Sequence, residues 1–338
     1  MASPFKIFRD VAPLRSYRHA QLLANRTVGL VPTMGALHDG HLSLARQAAY
    51  ENDEVVVSIY VNPTQFGVNE DLDAYPRTWD TDIGMLKALN AELRKDGARG
   101  QIKAIFAPTT KVMYPTLPPS SEIAGDGSFV VITPIGNILE GASRPVFFRG
   151  VATVCMKLFN VIRPDTAYFG QKDVQQTVVI KRMVKDFHLG VDIRIGPTRR
   201  EQDGLAMSSR NVYLGTRRRA VAPILSQALR KAEEQYAQGK KLRADVLWHA
   251  NESMDRKAGE QDELPPAQRA RFFVDYISLA DPETMEEVDE VDEAKGAILS
   301  GAIKMQPVEE PQEGEDCGLG GGQGTVRLID NIILSPTR

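Results

Sequence analysis

The sequence predicts an α/β protein in which a parallel, helix-flanked sheet is followed by a smaller α+β C-terminal domain. Three observations carry this. Over residues 27–196 short β-branched runs alternate with longer amphipathic stretches, as βα units around a parallel sheet require. Beyond Pro197 the order becomes two helical stretches and then three strand-like runs. The length of 338 residues suits one large domain or two ordinary ones, and the expected division is 1–198 and 199–338.

Taken in order, strands are expected at 28–31, 55–60, 104–107, 166–170 and 191–195, with helices beginning near Gly40, Asp80, Gly150 and Lys172. Asp39 is a good N-cap for the first of these helices, which continues with Leu42, Leu44, Ala45, Ala48 and Ala49 at helical spacing. Sheets of this kind bind ligands at the carboxyl ends of their strands, so residues just after each strand carry the most weight. In the second domain helices are expected at 217–238 and 244–257, and strands at 272–279, 297–304 and 325–334. Residues 281–316 hold thirteen Asp or Glu against two Lys, and five of the seven residues 318–324 are glycine. Around the strand expected at 297–304, the stretch of about 281–324 is therefore expected to be a long, solvated, mobile loop. Its part 306–324 is expected to be dispensable for chemistry, because ordering it would bury little. The glycine tract lacks the Lys-Ser/Thr and helix that would follow in a phosphate loop.

Composition narrows the function classes. Apolar residues make up 42% and charged residues 25%, as in soluble folded proteins. No window of about 18 apolar residues occurs, and the N-terminus lacks the charged-then-apolar pattern of a secretory signal. Neither membrane insertion nor export is expected. Cys155 lies in an apolar stretch and Cys317 in a polar loop, giving no disulfide framework or metal cluster and fitting a reducing, cytoplasmic location. A net charge of −3 and a pI near 6.0 disfavour general nucleic-acid binding and leave small molecules as the expected partners.

The densest run of chemistry-bearing residues is Pro32-Thr33-Met34-Gly35-Ala36-Leu37-His38-Asp39-Gly40-His41-Leu42-Ser43-Leu44, between the first expected strand and helix. Gly35 permits close backbone approach, and a helix starting near Gly40 offers free amide donors and a partial positive charge to a phosphate. His38 and His41 are three apart and project to the same side of a helical turn, with Gly40 keeping the space between them clear. This reads as a nucleotide site in which two imidazole donors meet charge on a phosphate. A His-x-x-His pair alone also suits a metal site or a chance surface pair. The strand, glycines and helix around it favour the nucleotide.

Further motifs follow in order. They are Val61-Asn62-Pro63-Thr64-Gln65-Phe66-Gly67, Asp71-Leu72-Asp73-Ala74-Tyr75-Pro76-Arg77, Leu139-Glu140-Gly141, Val161-Ile162-Arg163-Pro164-Asp165, Phe169-Gly170-Gln171-Lys172-Asp173-Val174-Gln175-Gln176 and Asp203-Gly204-Leu205-Ala206-Met207-Ser208-Ser209-Arg210-Asn211. On these the chain closely resembles the pantoate–β-alanine ligase (pantothenate synthetase) family, within the His-x-Gly-His nucleotidyltransferases. The resemblance is almost continuous over residues 25–215 and weak from about 217 onward.

What the resemblance implies is a Rossmann-like sheet and ATP-driven carboxylate activation. Pantoate would attack the α-phosphate, pantoyl adenylate and pyrophosphate would form, and the β-alanine amine would displace AMP. By the same resemblance the catalytic residues would be His41, with His38 beside it, Lys172 and Arg210. The ATP site would comprise Met34, Gly35, His38, Gly40, His41, Gly170, Lys172, Asp173, Met207, Ser208, Ser209 and Arg210. Gln65, Gln176 and Met34 would face pantoate, and Gln65 also β-alanine. Mg²⁺ would accompany ATP without a separate protein metal site, and the chain would form a homodimer.

The residue types suit these roles on their own chemistry. Lys172, after a strand end, can neutralise phosphate oxygens, although a lysine there is also an ordinary surface residue. Arg210 supplies a planar cation, and Ser208 and Ser209 supply hydroxyls. Gln65 and Gln176 each carry a donor and an acceptor for a substrate bearing hydroxyls and a carboxylate, and Met34 or Phe66 could pack on its gem-dimethyl group. Three positions depart from the family pattern: Gln171 where Glu is usual, Phe147 where His is usual and Arg199 where Val is usual. A different adenylate-forming enzyme or a silent binding protein with the same fold is the alternative reading. A tRNA ligase is disfavoured by the lack of a basic face.

Overall fold

The computed structural model describes residues 5–68, 70, 72–116 and 118–337; Asp71 of the motif above and the first four residues, used to judge export, lie outside them. The chain separates by its contacts into two compact units, one of residues 1–171 and 175–197, the other of residues 198–338 together with Lys172–Val174.

The first unit runs β1 (Lys6–Phe8), α1 (Val11–Leu23), β2 (Val28–Thr33), α2 (Asp39–Glu51), β3 (Glu54–Ile59), α3 (Trp79–Lys95), β4 (Gln101–Phe106), α4 (Thr110–Met113), α5 (Glu140–Ser143), α6 (Phe147–Ile162), β5 (Thr166–Gly170), α7 (Val174–Asp186, its first residue counted with the second unit) and β6 (Asp192–Gly196). Its six strands pair in parallel in the order β1-β4-β3-β2-β5-β6, a Rossmann-like sheet. The expected strands are all present; β5 has the expected bounds, and the others are displaced or extended by one to three residues at their ends. β1 escaped the sequence reading because a three-residue strand has too short a pattern to register, and α1 because it buries only Leu14 and Arg18 and so shows no apolar stripe.

The chain order reverses between β2 and β5, and this is where such sheets open a ligand crevice. β2 and β5 share ladder positions only at Gly29↔Thr166 and Leu30↔Ala167, so their carboxyl ends leave the ladder. Pro32, which has no N–H to offer, stands at that end of β2. α2 lies on β2 and β3 through Ala45, Ala48 and Ala49, all buried, whose small side chains bring the helix close to the sheet. α6 begins at Phe147 and not near Gly150 as expected. Gly150 is a point of close approach inside the helix, where an added Cβ would stand 2.2 Å from the Thr64 carbonyl oxygen. The helix expected near Lys172 starts at Val174, after a single 3₁₀ turn at Gln171–Asp173. Cys155 is buried in α6, and desolvation pushes its thiol up to about 12.

The second unit contains α8 (Gly215–Val221), α9 (Ile224–Ala237), α10 (Arg243–Asp262), β7 (Phe272–Ala280), β8 (Ala297–Met305) and β9 (Val326–Leu334), its three strands antiparallel in that order. Pro223 divides the single helix expected at 217–238 into α8 and α9, because it offers no amide to continue the first. Leu225, Leu229, Val246 and Met254 pack against Leu279, Leu299 and Ile303 to form the core. No helix among the described residues is long and apolar enough to cross a membrane.

Outside β8 the acidic and glycine-rich stretch is irregular, and residues 306–324 are mostly exposed, as its composition suggested; it is also fastened by ion pairs and hydrogen bonds that the composition did not show. Glu315 accepts from Arg217 Nε at 2.6 Å, Glu309 accepts from Arg269 Nε at 3.1 Å, and Lys241 and Arg243 pair with Glu293 and Glu287. Arg218, 1% exposed, donates to the carbonyls of Gly324 (2.7 Å), Leu214 (3.0 Å), Cys317 (3.2 Å), Gln306 (3.4 Å) and Tyr213. Both ends of the 306–324 strap are thus tied to one buried guanidinium. A charge count along the chain cannot reveal arginines that arrive from α8 and residue 269.

Arg218→Met keeps aliphatic bulk but strands several buried carbonyls, each costing about 1–3 kcal/mol, so a loss of at least about 3 kcal/mol is expected in urea unfolding. The exposed Arg230→Met should stay within about 0.5 kcal/mol. Equal stability of the two variants would show that the strap is not held in this way.

Candidate active site

The turn from β2 into α2 is made by two successive residues at positive φ, Gly35 at 85° and Ala36 at 49°. Glycine at 35 meets a steric demand as well, since an added Cβ would stand 3.1 Å from Asp82 Oδ2 and 3.3 Å from Ile59 Cγ2. Asp82, in the first turn of α3 and 1% exposed, accepts from the amides of Ala36 (3.1 Å) and Leu37 (2.9 Å) and from the Thr78 hydroxyl (3.0 Å). This carboxylate was not singled out from the sequence. It reads locally as an ordinary acid near a helix N-terminus.

His38, not Asp39, is the N-cap of α2. Its backbone is extended (φ −141°, ψ 175°) and its Nδ1 accepts from Gly40 N at 3.1 Å, whereas exposed Asp39 is already helical. Only glycine at 40 lets the ring fold back this far, because a Cβ there would lie 2.8 Å from His38 Cε1. His41 Nδ1 in turn accepts from His38 N at 3.4 Å, and the two rings stand 4.1 Å apart between centroids. With Nδ1 accepting on both neutral rings, Nε2 is the protonated, donating nitrogen on each. Two N–H donors therefore accompany the amides and the dipole at the N-terminus of a 13-residue helix.

Gln65 lies after β3, in the 3₁₀ turn Pro63–Gln65, and is 8% exposed. Asn62, fully buried, donates from Nδ2 to Gln65 Oε1 (3.0 Å) and to Gly150 O (3.2 Å), while its Oδ1 accepts from Tyr114 OH at 2.7 Å. Asn62 thereby commits the Gln65 acceptor and leaves the amide's N–H groups as its working pole. Burial pushes the Tyr114 phenol above its usual value, so it stays a neutral donor. Arg144 donates to Gln65 O at 3.1 Å, holds Glu70 and stacks over Phe147 with its guanidinium carbon 3.9 Å from the ring centroid. Phe147, at the departure from the family pattern, thus covers an arginine. Asn62, quoted in its motif but given no role, and Arg144, not singled out, act on Gln65; only their tertiary contacts separate them from ordinary polar residues.

Phe66 is 1% exposed against the edge of Tyr75 and belongs to the core, while Met34 is half-buried in the turn. Gly170 closes β5 with open space around its Cα. Gln175 is a structural residue, bound to Ile135 O, Ile138 O and Glu140 N; its neighbour Gln176 is half-buried at the start of α7. The first unit therefore brings Gln65, the 34–41 segment and Gly170 to the carboxyl ends of the adjacent strands β3, β2 and β5.

In the second unit Lys172 Nζ lies 3.4 Å from Asp173 Oδ1, and Lys172 O accepts from Asn331 Nδ2 of β9 at 2.9 Å. Met207, Ser208, Ser209 and Arg210 follow a hairpin closed by the Arg200↔Ala206 bridge, with Met207 N donating to Arg199 O at 2.9 Å. Ser208 caps the 3₁₀ turn Ser209–Tyr213, its Oγ accepting from Arg210 N at 3.2 Å and keeping its own proton to donate. Arg219 grips Glu201 and Asp203 and so braces the hairpin.

The family model described as pantoate-beta-alanine ligase matches residues 6–333. A pantothenate synthetase of Chloroflexus aurantiacus is 45% identical over 329 residues, 97% of this chain and 98% of its own. One of Roseiflexus castenholzii is 43% identical over 326 residues, 96% and 99% of the two chains. Among solved structures, a pantothenate synthetase from Thermus thermophilus aligns with a TM-score of 0.76 at 36% identity, covering 98% of this chain and 100% of that one. A pantoate-beta-alanine ligase from Francisella tularensis, complexed with beta-gamma ATP and beta-alanine, aligns with a TM-score of 0.68 at 30% identity over 97% of each. The similarity continues past residue 217, where the sequence motifs alone had faded.

Asp82→Ala removes the acceptor that fixes the 35–37 turn. Amide hydrogen exchange at Ala36 and Leu37 is expected to speed up about tenfold or more, while Leu30 and Val31 in β2 keep their protection. Unchanged exchange at residues 36 and 37 would mean that the turn holds itself.

Proposed function

The chain belongs to the pantoate–β-alanine ligase family, and on that premise we propose that it joins pantoate to β-alanine with ATP through a pantoyl adenylate. The observation that carries the chemistry is that His38 and His41 both accept backbone amides at Nδ1, from Gly40 N and His38 N, at the N-terminus of α2, which leaves each Nε2 as the nitrogen that donates. A pantoate carboxylate oxygen attacks the α-phosphorus, the bond to the β-phosphate oxygen breaks, and pyrophosphate leaves. The β-alanine nitrogen then attacks the acyl carbon, loses a proton, and AMP departs. Charge grows on phosphate oxygens in the first step, and preorganised donors there lower its barrier.

His41 and His38 supply neutral donors in this reading, with Met34, Gly35, Gly40 and Gly170 shaping the backbone around ATP. Lys172 and Arg210 supply cations, and Asp173, Met207, Ser208 and Ser209 complete the nucleotide contacts. The Gln65 amide, with its oxygen committed to Asn62, donates to substrate carboxylate or hydroxyl oxygens of pantoate and β-alanine. Gln176 and Met34 serve pantoate. Mg²⁺ enters with ATP as part of the substrate, shielding the β- and γ-phosphates as a hard cation with oxygen ligands. A homodimer and a cytoplasmic location are proposed on family grounds alone.

The test is pantoate-dependent, Mg²⁺-dependent exchange of labelled pyrophosphate into ATP without β-alanine, and AMP as the final nucleotide. ADP and phosphate would establish an acyl phosphate and overturn the proposal. Alanine at His41, Lys172 or Arg210 is expected to slow exchange about 10²- to 10³-fold with folding preserved. Near-normal exchange in a folded variant removes that residue from the mechanism.

A further inference from the structure

The two nucleotide-binding segments of the second unit are far apart in sequence, yet both are fastened to neighbouring residues of β9. Asn331, 1% exposed, donates from Nδ2 to Lys172 O at 2.9 Å. Asp330, 4% exposed, accepts from Arg200 Nη2 at 2.9 Å, and Arg200 also donates to Gly204 O at 3.0 Å across the hairpin that ends at Met207. Successive residues of a strand face opposite ways, so one strand reaches the two segments from its two faces. The pair is itself stiffened, because Asn331 N donates to Asp330 Oδ1 at 2.8 Å.

We propose that Asn331 and Asp330 are positioning residues for adenylation, fixing Lys172 and the Met207–Arg210 loop in one relation to each other through β9. The proposal rests on the reading above in which both segments bind the triphosphate. Neither residue needs to touch substrate. β9 pairs along its full length with β8, from Ala297↔Leu334 to Met305↔Val326, and packs in the core of the unit, so it is a rigid reference for two short turns that carry little packing of their own. A displacement of about 1 Å at a charged group can lower turnover by as much as about 10²-fold.

The experiment compares Asn331→Ala, the near-isosteric Asn331→Asp and Lys172→Ala, singly and as N331A/K172A, in the full-length enzyme. Readouts are kcat and the KM for ATP and for pantoate in pyrophosphate exchange, with thermal unfolding alongside. Each Asn331 variant is expected to lower kcat/KM for ATP about tenfold or more, with the KM for pantoate changed less than about twofold. In the K172A background N331A should add less than about twofold, since it acts through the group already removed. Asp330→Asn should behave in the same way toward R210A. Ser300→Ala is the control: Ser300 lies directly across from Asn331, is buried and has no hydrogen-bond partner for its hydroxyl among the described residues, and its loss should leave exchange within about twofold.

Multiplying effects in the double variant, or a rise in both KM values together, would assign Asn331 to general stability and overturn the proposal. Full activity of both Asn331 variants beside an impaired K172A would do the same while leaving the nucleotide reading intact. Normal exchange in K172A would overturn the reading itself and the proposal with it.

Discussion

Asp82 accepts hydrogen bonds from two consecutive amides of a turn in which residues 35 and 36 both stand at positive φ. Without that acceptor, two left-handed residues in a row would lack the contacts that make such a conformation worth holding. With it, the chain passes from β2 to α2 in five residues, and His38 arrives in extended geometry at the position where its ring can cap the helix. His41 is then oriented by the amide of His38. The donor array at the head of α2 is therefore a consequence of one buried carboxylate supplied by the following helix.

The two units carry different chemistry. The first offers neutral donors: two imidazoles, a glutamine amide and the amides at a helix head. The second offers cations, Lys172 and Arg210, each carried by a short turn braced by its own unit. Neutral donors set in a rigid sheet discriminate by geometry, whereas cations act over longer distances and screen charge.

Much of this was legible in the sequence where the signal is local. Strands β2 to β6 announce themselves by β-branched runs, α2 by its apolar spacing, and the 34–41 segment by a strand, glycines and a helix in succession. What could not be read depends on partners remote in the chain. Asp39 looked like the cap because Asp is a good one, but the fold-back of His38 over Gly40 is a tertiary detail. Gly150 looked like a helix start and is instead where α6 touches Thr64. Asn62, Asp82 and Asn331 are ordinary letters until their acceptors and donors are brought beside them. The acidic stretch is exposed as its composition indicated, but what fastens it was not legible, since its arginine partners lie up to about a hundred residues away, as with Arg217 and Glu315.

The strap from 306 to 324 is held by two kinds of bond that answer differently to the surroundings. At its edge, Arg217 holds the Glu315 carboxyl down to about 2, so this contact is present above the ordinary carboxylate range and is lost only as pH falls toward that value. At its root, Arg218 meets carbonyl dipoles, which neither titrate nor exchange for counterions. Acid or salt would thus fray the strap from the outside inward and leave its two ends still knotted together, so that the polypeptide between β8 and β9 keeps its closure after its surface charges have ceased to count.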